Sequence, residues 1–344
     1  MRAAVLYGPE DVRLEEIAVP EIGPGDALVR VGAATTCGTD AKVFRRGGHP
    51  TMIRPPAPFG HEFAGTVEAV GEAVQGFEPG VRVACANSAP CQQCRYCKLG
   101  RWSLCRDILY INGAYAEFIA VPERIVKQNL LPLPDRVPFP QACLVEPLAC
   151  VVHGAAESNI RVGDTVVVNG AGPIGLFFIR LAALAGARVI ATDLSEGRLS
   201  VARELGAAET IDASNCEDVV AAVKALTEAE EGADVAIDAS GVNAVWEATI
   251  RMGRPGATVN LFGGCKPGTT ITIDTKHLHY SEMTIKGVYH HTPHHVKQAL
   301  DLIVSGAIMP EKFISYESPL DEVVPALRKI MEQDGIKSAI LPHE

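Results

Sequence analysis

At 344 residues the chain is long enough for two domains that each bury their own core. A hydrophobic share of 47% and a charged share of 21% are ordinary for a soluble globular protein, with no low-complexity segment and no internal repeat. The net charge of −10, from 31 Lys and Arg against 41 Asp and Glu, has the wrong sign for neutralising phosphates, so nucleic acid is not an expected partner.

The opening Met1-Arg2-Ala3-Ala4-Val5-Leu6-Tyr7 runs into Gly8-Pro9 too early to supply a secretory apolar core. The most apolar stretch, 172–191, is interrupted by Arg180 and Arg188, which does not support a membrane span. A cytoplasmic protein is expected. Residues 1–150 read as short β segments broken by Gly and Pro. The clearest strands are 3–6, 27–31, 65–70 and 82–84, and the clearest turns are Gly23-Pro24-Gly25-Asp26 and Glu78-Pro79-Gly80. A compact, barrel-like β domain follows from that rhythm.

Cys91, Cys94, Cys97 and Cys105 form C-x2-C-x2-C-x7-C, four of the ten cysteines in fifteen positions. Four thiolates so close in sequence can converge on one tetrahedral ion, with no open position and hence a structural role. An iron–sulfur cluster also takes four thiolates, and the spacing alone does not separate the two. Cys85, Cys143, Cys150, Cys216 and Cys265 are expected to be buried small hydrophobes. A catalytic zinc needs mixed ligands and an exchangeable position, for which Cys37, His61, Glu62 and Glu146 are the candidates.

From about residue 160 strands and helices alternate: strand 165–169, helix 173–185, strand 188–192, helix 195–205, then strands 234–237, 258–262 and 284–288. This predicts a parallel sheet covered on both faces. Gly170-Ala171-Gly172-Pro173-Ile174-Gly175 is a G-x-G-x-x-G between the first strand and the first helix, where glycines let the backbone approach a pyrophosphate. Asp193, at the end of the second strand, is the acidic residue expected to accept the adenosine ribose hydroxyls and to repel a 2′-phosphate. That favours NAD over NADP, with Arg198 placed to flank the adenine or contact a phosphate. The tail beyond His290 has two amphipathic helical stretches and a strand at 338–341 that is able to return to the first domain.

Cys37-Gly38-Thr39-Asp40, Gly60-His61-Glu62, the four-cysteine lobe, Glu146-Pro147-Leu148 and the glycine loop stand in the order found in the zinc-containing medium-chain alcohol dehydrogenases, which the whole chain resembles. The resemblance implies an α/β protein with a GroES-like catalytic domain (1–150 and 290–344), a Rossmann domain (151–289) and a cleft between them. It also implies a homo-oligomer, a tetramer or a dimer.

Glu146-Pro147-Leu148 is similar to the sorbitol and polyol branch, in which Cys, His and a carboxylate hold zinc, so Glu62 and Glu146 are rivals for direct ligation. The resemblance assigns one catalytic and one structural zinc, Thr39 as the proton-relay hydroxyl, and Phe262, Gly263 and Val288 beside the cofactor. Where many relatives carry an outer-relay His this chain has Lys42, with His49 as a substitute candidate. The substrate side departs too: His290 and His291 stand where sorbitol dehydrogenases have an Arg-Tyr pair, and the short loop after Cys105 puts Tyr110, with Phe44, among the substrate candidates. A polyol, cyclitol or modified sugar is the expected substrate. The alternatives are a threonine-type amino-alcohol dehydrogenase and a non-catalytic NAD-binding or thiol redox sensor.

Overall fold

The computed structural model describes residues 1–49 and 51–344. The chain divides into two units, Met1–Ala149 with His291–Glu344, and Cys150–His290. No helix among the described residues is long and apolar enough to cross a membrane.

The first unit opens with β1 (Arg2–Gly8) and β2 (Asp11–Glu16), an antiparallel pair. The long strand β3 (Ala27–Thr35) leads into α1 (Gly38–Arg46), then β4 (Glu62–Val70) and β5 (Arg82–Cys85). Two short strands, β6 (Ser88–Ala89) and β7 (Leu109–Tyr110), bracket the cysteine lobe. The chain then forms β8 (Phe118–Val121), α2 (Glu123–Asn129), β9 (Leu130–Pro132) and, from Val145, α3 (Val145–Ser158). β9, β5, β4 and β3 run side by side, with β8 also paired to β3. Val29, Val31, Phe59, Phe63, Val83, Tyr115 and Ile125 fill the core beneath them. Phe44, expected on the substrate side, belongs to this core and is 1% exposed. The face of α1 that carries Val43 and Phe44 is turned inward.

In the second unit, β10 (Thr165–Asn169), α4 (Pro173–Leu184), β11 (Arg188–Asp193), α5 (Glu196–Glu204) and β12 (Ala207–Asp212) alternate. β13 (Ala233–Asp238), α6 (Asn243–Met252), β14 (Gly253–Leu261) and β15 (Thr284–Gly287) complete the sheet. Its order is β12-β11-β10-β13-β14-β15, all parallel. The order reverses at β10, so the crevice beyond its carboxyl end lies at the glycine loop. Val166, Val167 and Val168 are all fully buried, as a central strand covered on both faces requires.

The tail returns to the first unit. α7 (Pro293–Val304), β16 (Ile314–Pro319), α8 (Val323–Met331) and β17 (Lys337–Leu341) follow in turn. β17 pairs antiparallel with β3, Ala339 opposite Thr35 and Ile340 opposite Ala34. Cys85 and Cys143 are buried, and burial pushes both thiols up. Cys150, Cys216 and Cys265 are instead half-exposed, a correction. Cys216 and Cys265 lie outside the helices and strands, where no sheet covers a small side chain.

The turn from β10 into α4 depends on two glycines for different reasons. Gly170 has φ +94°, a left-handed conformation that favours glycine. A Cβ on Gly175 would lie 1.7 Å from the Gly170 carbonyl oxygen, whereas one on Gly172 would meet only Arg198 Nη1, at 3.9 Å. Gly175→Ala is therefore expected to cost about 1–3 kcal/mol of stability, and Gly172→Ala about 0.5 kcal/mol or less. Urea unfolding of the two variants checks this, and equal midpoints would contradict the packing argument.

Candidate functional site

Cys37 ends the segment after β3 and caps α1. The Thr39 N–H donates to Cys37 Sγ at 3.4 Å, and the Cys37 N–H donates to Asp40 Oδ2 at 3.2 Å. This reciprocal capping box fixes the thiol and aims Asp40 at the same point. His61 and Glu62 stand at the start of β4, where register sets Glu62 opposite Thr35. The ligand atoms of Cys37, His61 and Glu62 all lie within 4.8 Å of one another.

Each member is held by a partner that the sequence reading missed. Asp40 Oδ1 accepts from His61 Nδ1 at 2.8 Å, and since a carboxylate only accepts, Nε2 carries the lone pair in the neutral ring. The Tyr115 hydroxyl donates to Asp40 Oδ2 at 2.7 Å and keeps that carboxylate oriented. Burial disfavours a charged His61, but the Asp40 carboxylate outweighs it and raises the imidazole well above its usual range. Burial likewise raises the Tyr115 hydroxyl, reinforced by Asp40.

Glu62 is fully buried. Its Oε2 accepts from Lys337 Nζ at 2.6 Å and from the Thr35 hydroxyl. Lys337 also donates to the Thr36 carbonyl at 2.5 Å. Burial opposes the Lys337 charge, yet the neighbouring Glu62 and Cys37 hold its affinity for a proton above normal. Glu62 Oε1, by contrast, has no partner among the described residues. One carboxylate oxygen is thus anchored and the other left for a ligand. A buried, unpaired acceptor beside a thiol and an imidazole nitrogen is a donor set that suits zinc.

Glu146, in the first turn of α3, is not part of that three-residue group. It is buried, and burial pushes its carboxyl up to about 7 against the pull of His61 and Lys337. Its Oε1 lies 4.0 Å from His291 Nε2, which is 3.2 Å from the Ser88 hydroxyl. The two histidines expected on the substrate side are unlike: His291 is 3% exposed, whereas His290 has φ +64° and stacks on the exposed Tyr289. Tyr110 is half-buried in β7, opposite Ser88. Thr39 is half-exposed and Lys42 points to solvent. His49 Nδ1 accepts from the Thr51 and Met52 N–H groups at 3.3 and 3.2 Å, which ties it into its own turn.

In the cysteine lobe, Cys91, Cys94, Cys97 and Cys105 converge with sulfur–sulfur distances of 3.4, 3.6 and 3.9 Å. A tetrahedron with zinc–sulfur bonds of about 2.3 Å has edges of about 3.8 Å, so one ion fits. A polynuclear cluster would place its own atoms between the thiolates and hold them farther apart. Backbone N–H groups of Cys91, Cys94 and Asp107 donate to sulfur at 3.2–3.3 Å. Such bonds bring the Cys94 thiol down to about 6, while burial pushes Cys97 up to about 12.

At the glycine loop, Gly172 caps α4 without a side-chain hydrogen bond, and the first-turn N–H groups after Pro173 are the kind of donors an anion can use. Asp193 Oδ2 accepts from the Ala171 N–H at 2.6 Å and Oδ1 from the Ser195 N–H at 2.9 Å. Each oxygen keeps a second lone pair for a ribose hydroxyl. Burial lowers the Arg198 pKa, and the Asp193 charge counters it. Phe262 packs edge-on against Phe178 at 5.0 Å, and the Phe262 and Gly263 N–H groups donate to the Asp238 carbonyl. Val288 is buried just after β15.

Residues 23–135 match the alcohol dehydrogenase GroES-like domain family, and residues 173–305 the zinc-binding dehydrogenase family. The chain is 32% identical to sorbitol dehydrogenase of Ovis aries, over 98% of this chain and 95% of that protein. It is equally 32% identical to L-threonine 3-dehydrogenase of Rhizobium rhizogenes, over 94% and 93%. A zinc-binding dehydrogenase of Sinorhizobium meliloti, solved bound to NADP, superposes with a TM-score of 0.90 at 31% identity and 99% coverage of both chains.

Removing Lys337 tests the anchored-carboxylate reading. Lys337→Met leaves Glu62 charged and buried, and is expected to cost about 3–5 kcal/mol. Lys337→Met combined with Glu62→Gln should recover most of that loss. Denaturant titration of both variants decides, and a single variant as stable as the native chain would show the pair to be dispensable.

Proposed function

The chain belongs to the zinc-binding alcohol dehydrogenase family, and on that premise we propose that it moves a hydride between NAD and a secondary alcohol of a polyol, cyclitol or sugar-like substrate. It is a zinc-dependent dehydrogenase with a nicotinamide cofactor. The observation that carries the finer reading is the three-residue group of Cys37, His61 and Glu62, mixed in donor type and one ligand short of a tetrahedron. Bound there, zinc supplies Lewis acidity toward a substrate oxygen, and the nicotinamide ring supplies the hydride acceptor.

The residues do the rest. Asp40 and Tyr115 fix the His61 tautomer, and Lys337 and Thr35 hold the far oxygen of Glu62. Thr39, half-exposed in the first turn of α1, is our candidate for passing the alcohol proton outward. Glu146 and His291 form a buried polar wall suited to substrate hydroxyls. We place the structural zinc at Cys91, Cys94, Cys97 and Cys105. We also propose a cytoplasmic homo-oligomer.

A second reading, an amino-alcohol substrate, draws support from the equal identity to the threonine enzyme. A screen of NAD reduction over polyols, cyclitols, sugars and amino alcohols separates the two. Activity confined to amino alcohols would replace the polyol reading.

Metal content tests the two sites separately. Cys37→Ala or His61→Ala is expected to abolish oxidation and leave a folded chain with one zinc that still binds NAD. Cys105→Ser should lose the other zinc together with stability, because an incomplete thiolate shell holds the ion poorly. Full activity in metal-free protein would rule out both assignments.

Cofactor choice rests on Asp193. Asp193→Ala is expected to raise KM for NAD and shift preference toward NADP, since hydroxyl acceptors and a repulsive charge leave together. A native enzyme that already prefers NADP, the cofactor bound in the Sinorhizobium relative, would show this reading of Asp193 to be mistaken.

A further inference from the structure

Asn87 is 1% exposed, and neither its Oδ1 nor its Nδ2 has a hydrogen-bond partner among the described residues. Both halves of a buried amide left unpaired is a costly arrangement that native proteins keep for a reason. Its backbone, by contrast, is pinned on both sides. The Ile111 N–H donates to the Asn87 carbonyl at 2.8 Å, and the Ala86 N–H to the Asn129 carbonyl at 3.1 Å. The side-chain amides of Asn129 and Gln128 donate to the Ser88 and Pro90 carbonyls at 2.5 and 3.1 Å. Asn129 Oδ1 and Gln128 Oε1 also have no partner among the described residues, but in Asn87 both the donor and the acceptor end of the amide are left unpaired.

Register says where that amide lies. β4 and β5 are antiparallel, with Ala64 opposite Ala84 and Phe63 opposite Cys85. Two residues beyond that last pair stand Asn87, after Cys85, and His61, before Phe63. Directly opposed residues carry their side chains on one face. Phe63 and Cys85 occupy that face within the core, and His61 and Asn87, beyond them, are both buried. The next residue, Ser88, touches His291, which faces Glu146. Asn87 therefore stands one residue from the Ser88–His291–Glu146 contacts and belongs to neither ligand set.

We infer that Asn87 is a specificity-determining residue that reads a hydroxyl on the carbon next to the one oxidised. An amide offers both donors and an acceptor, as does a hydroxyl, so one vicinal hydroxyl satisfies both of its ends. A site built to bond such a group discriminates strongly against substrates that lack it. This inference rests on the dehydrogenase reading above and names the feature of the substrate that the site selects.

The test compares propane-1,2-diol with propan-2-ol, which differ by that one hydroxyl, on the zinc- and NAD-loaded enzyme. The native enzyme is expected to prefer the diol. Asn87→Ala should lower kcat/KM for the diol about ten- to a hundredfold, mainly through KM, and change propan-2-ol by about threefold or less. Asn87→Leu, which fills the same space with an apolar group, should reverse the preference. Thermal stabilisation of the NADH complex by the diol gives a second readout that needs no turnover, and it should vanish in Asn87→Ala. Equal losses on both alcohols overturn the inference, as does a diol preference that survives in Asn87→Ala, the result expected if ordered water alone satisfies the amide. Absence of oxidation of any alcohol by the native enzyme would count against the dehydrogenase reading instead. In that case diol-dependent stabilisation of the native chain and not of Asn87→Ala still supports the role of Asn87, and no such difference overturns it.

Discussion

Burying Asp40 and Glu62 beside the half-buried Cys37 is tolerable only if positive charge is buried with them. The chain supplies one such charge, Lys337, whose ammonium is 2.6 Å from Glu62 and enclosed almost completely. With Cys37 as a thiolate and His61 neutral, three anions against one ammonium leave two negative charges uncompensated. A divalent cation neutralises that remainder. Without one, protons are the available substitute, and the groups around the cluster respond accordingly: Asp40 draws a proton onto His61, while Glu146 is held up to about 7 by burial. The electrostatics of the residues and the geometry of the unpaired Glu62 oxygen therefore point to the same ligand.

That requirement reaches far along the chain. Lys337 opens β17, and β17 is brought to β3 by its pairing at Ala339–Thr35. Thr35 and Thr36 then meet Glu62 and Lys337 directly, so the last strand of the protein completes a site begun by its first third. The cysteine lobe is the opposite case. Its four sulfurs lie within fifteen positions and are oriented by their own backbone N–H groups, so it needs little from the rest of the fold. One candidate metal site is a product of local chain geometry, the other of tertiary structure.

This contrast explains what was legible in the sequence. The βαβ alternation, the glycine loop and the four-cysteine lobe are local patterns, each written in consecutive residues with its own spacing. Asp40 was partly legible, since it stands three residues after Cys37 where a capping partner belongs. Tyr115 carried no local signal. Lys337 carried a weak one, a lone cation at the head of the apolar run Ser338-Ala339-Ile340-Leu341, whose meaning depends on a partner 275 residues away. Cys150, Cys216 and Cys265 were misjudged because a thiol is small enough to sit at the edge of a core as readily as within it.

The rivalry between Glu62 and Glu146 shows why two carboxylates near one site need not share a task. Both are buried, but their surroundings differ in what they offer an anion. Glu62 has an ammonium and a hydroxyl on one oxygen, and its second oxygen has no partner among the described residues. Glu146 has burial as its dominant influence and a histidine at 4.0 Å. A carboxyl poised near neutrality, next to an imidazole, is able to donate as well as accept, and that suits hydroxyl recognition better than it suits holding a cation. Environments that push two like groups apart in this way divide their roles, with charge kept at the proposed metal group and proton flexibility at the proposed substrate wall.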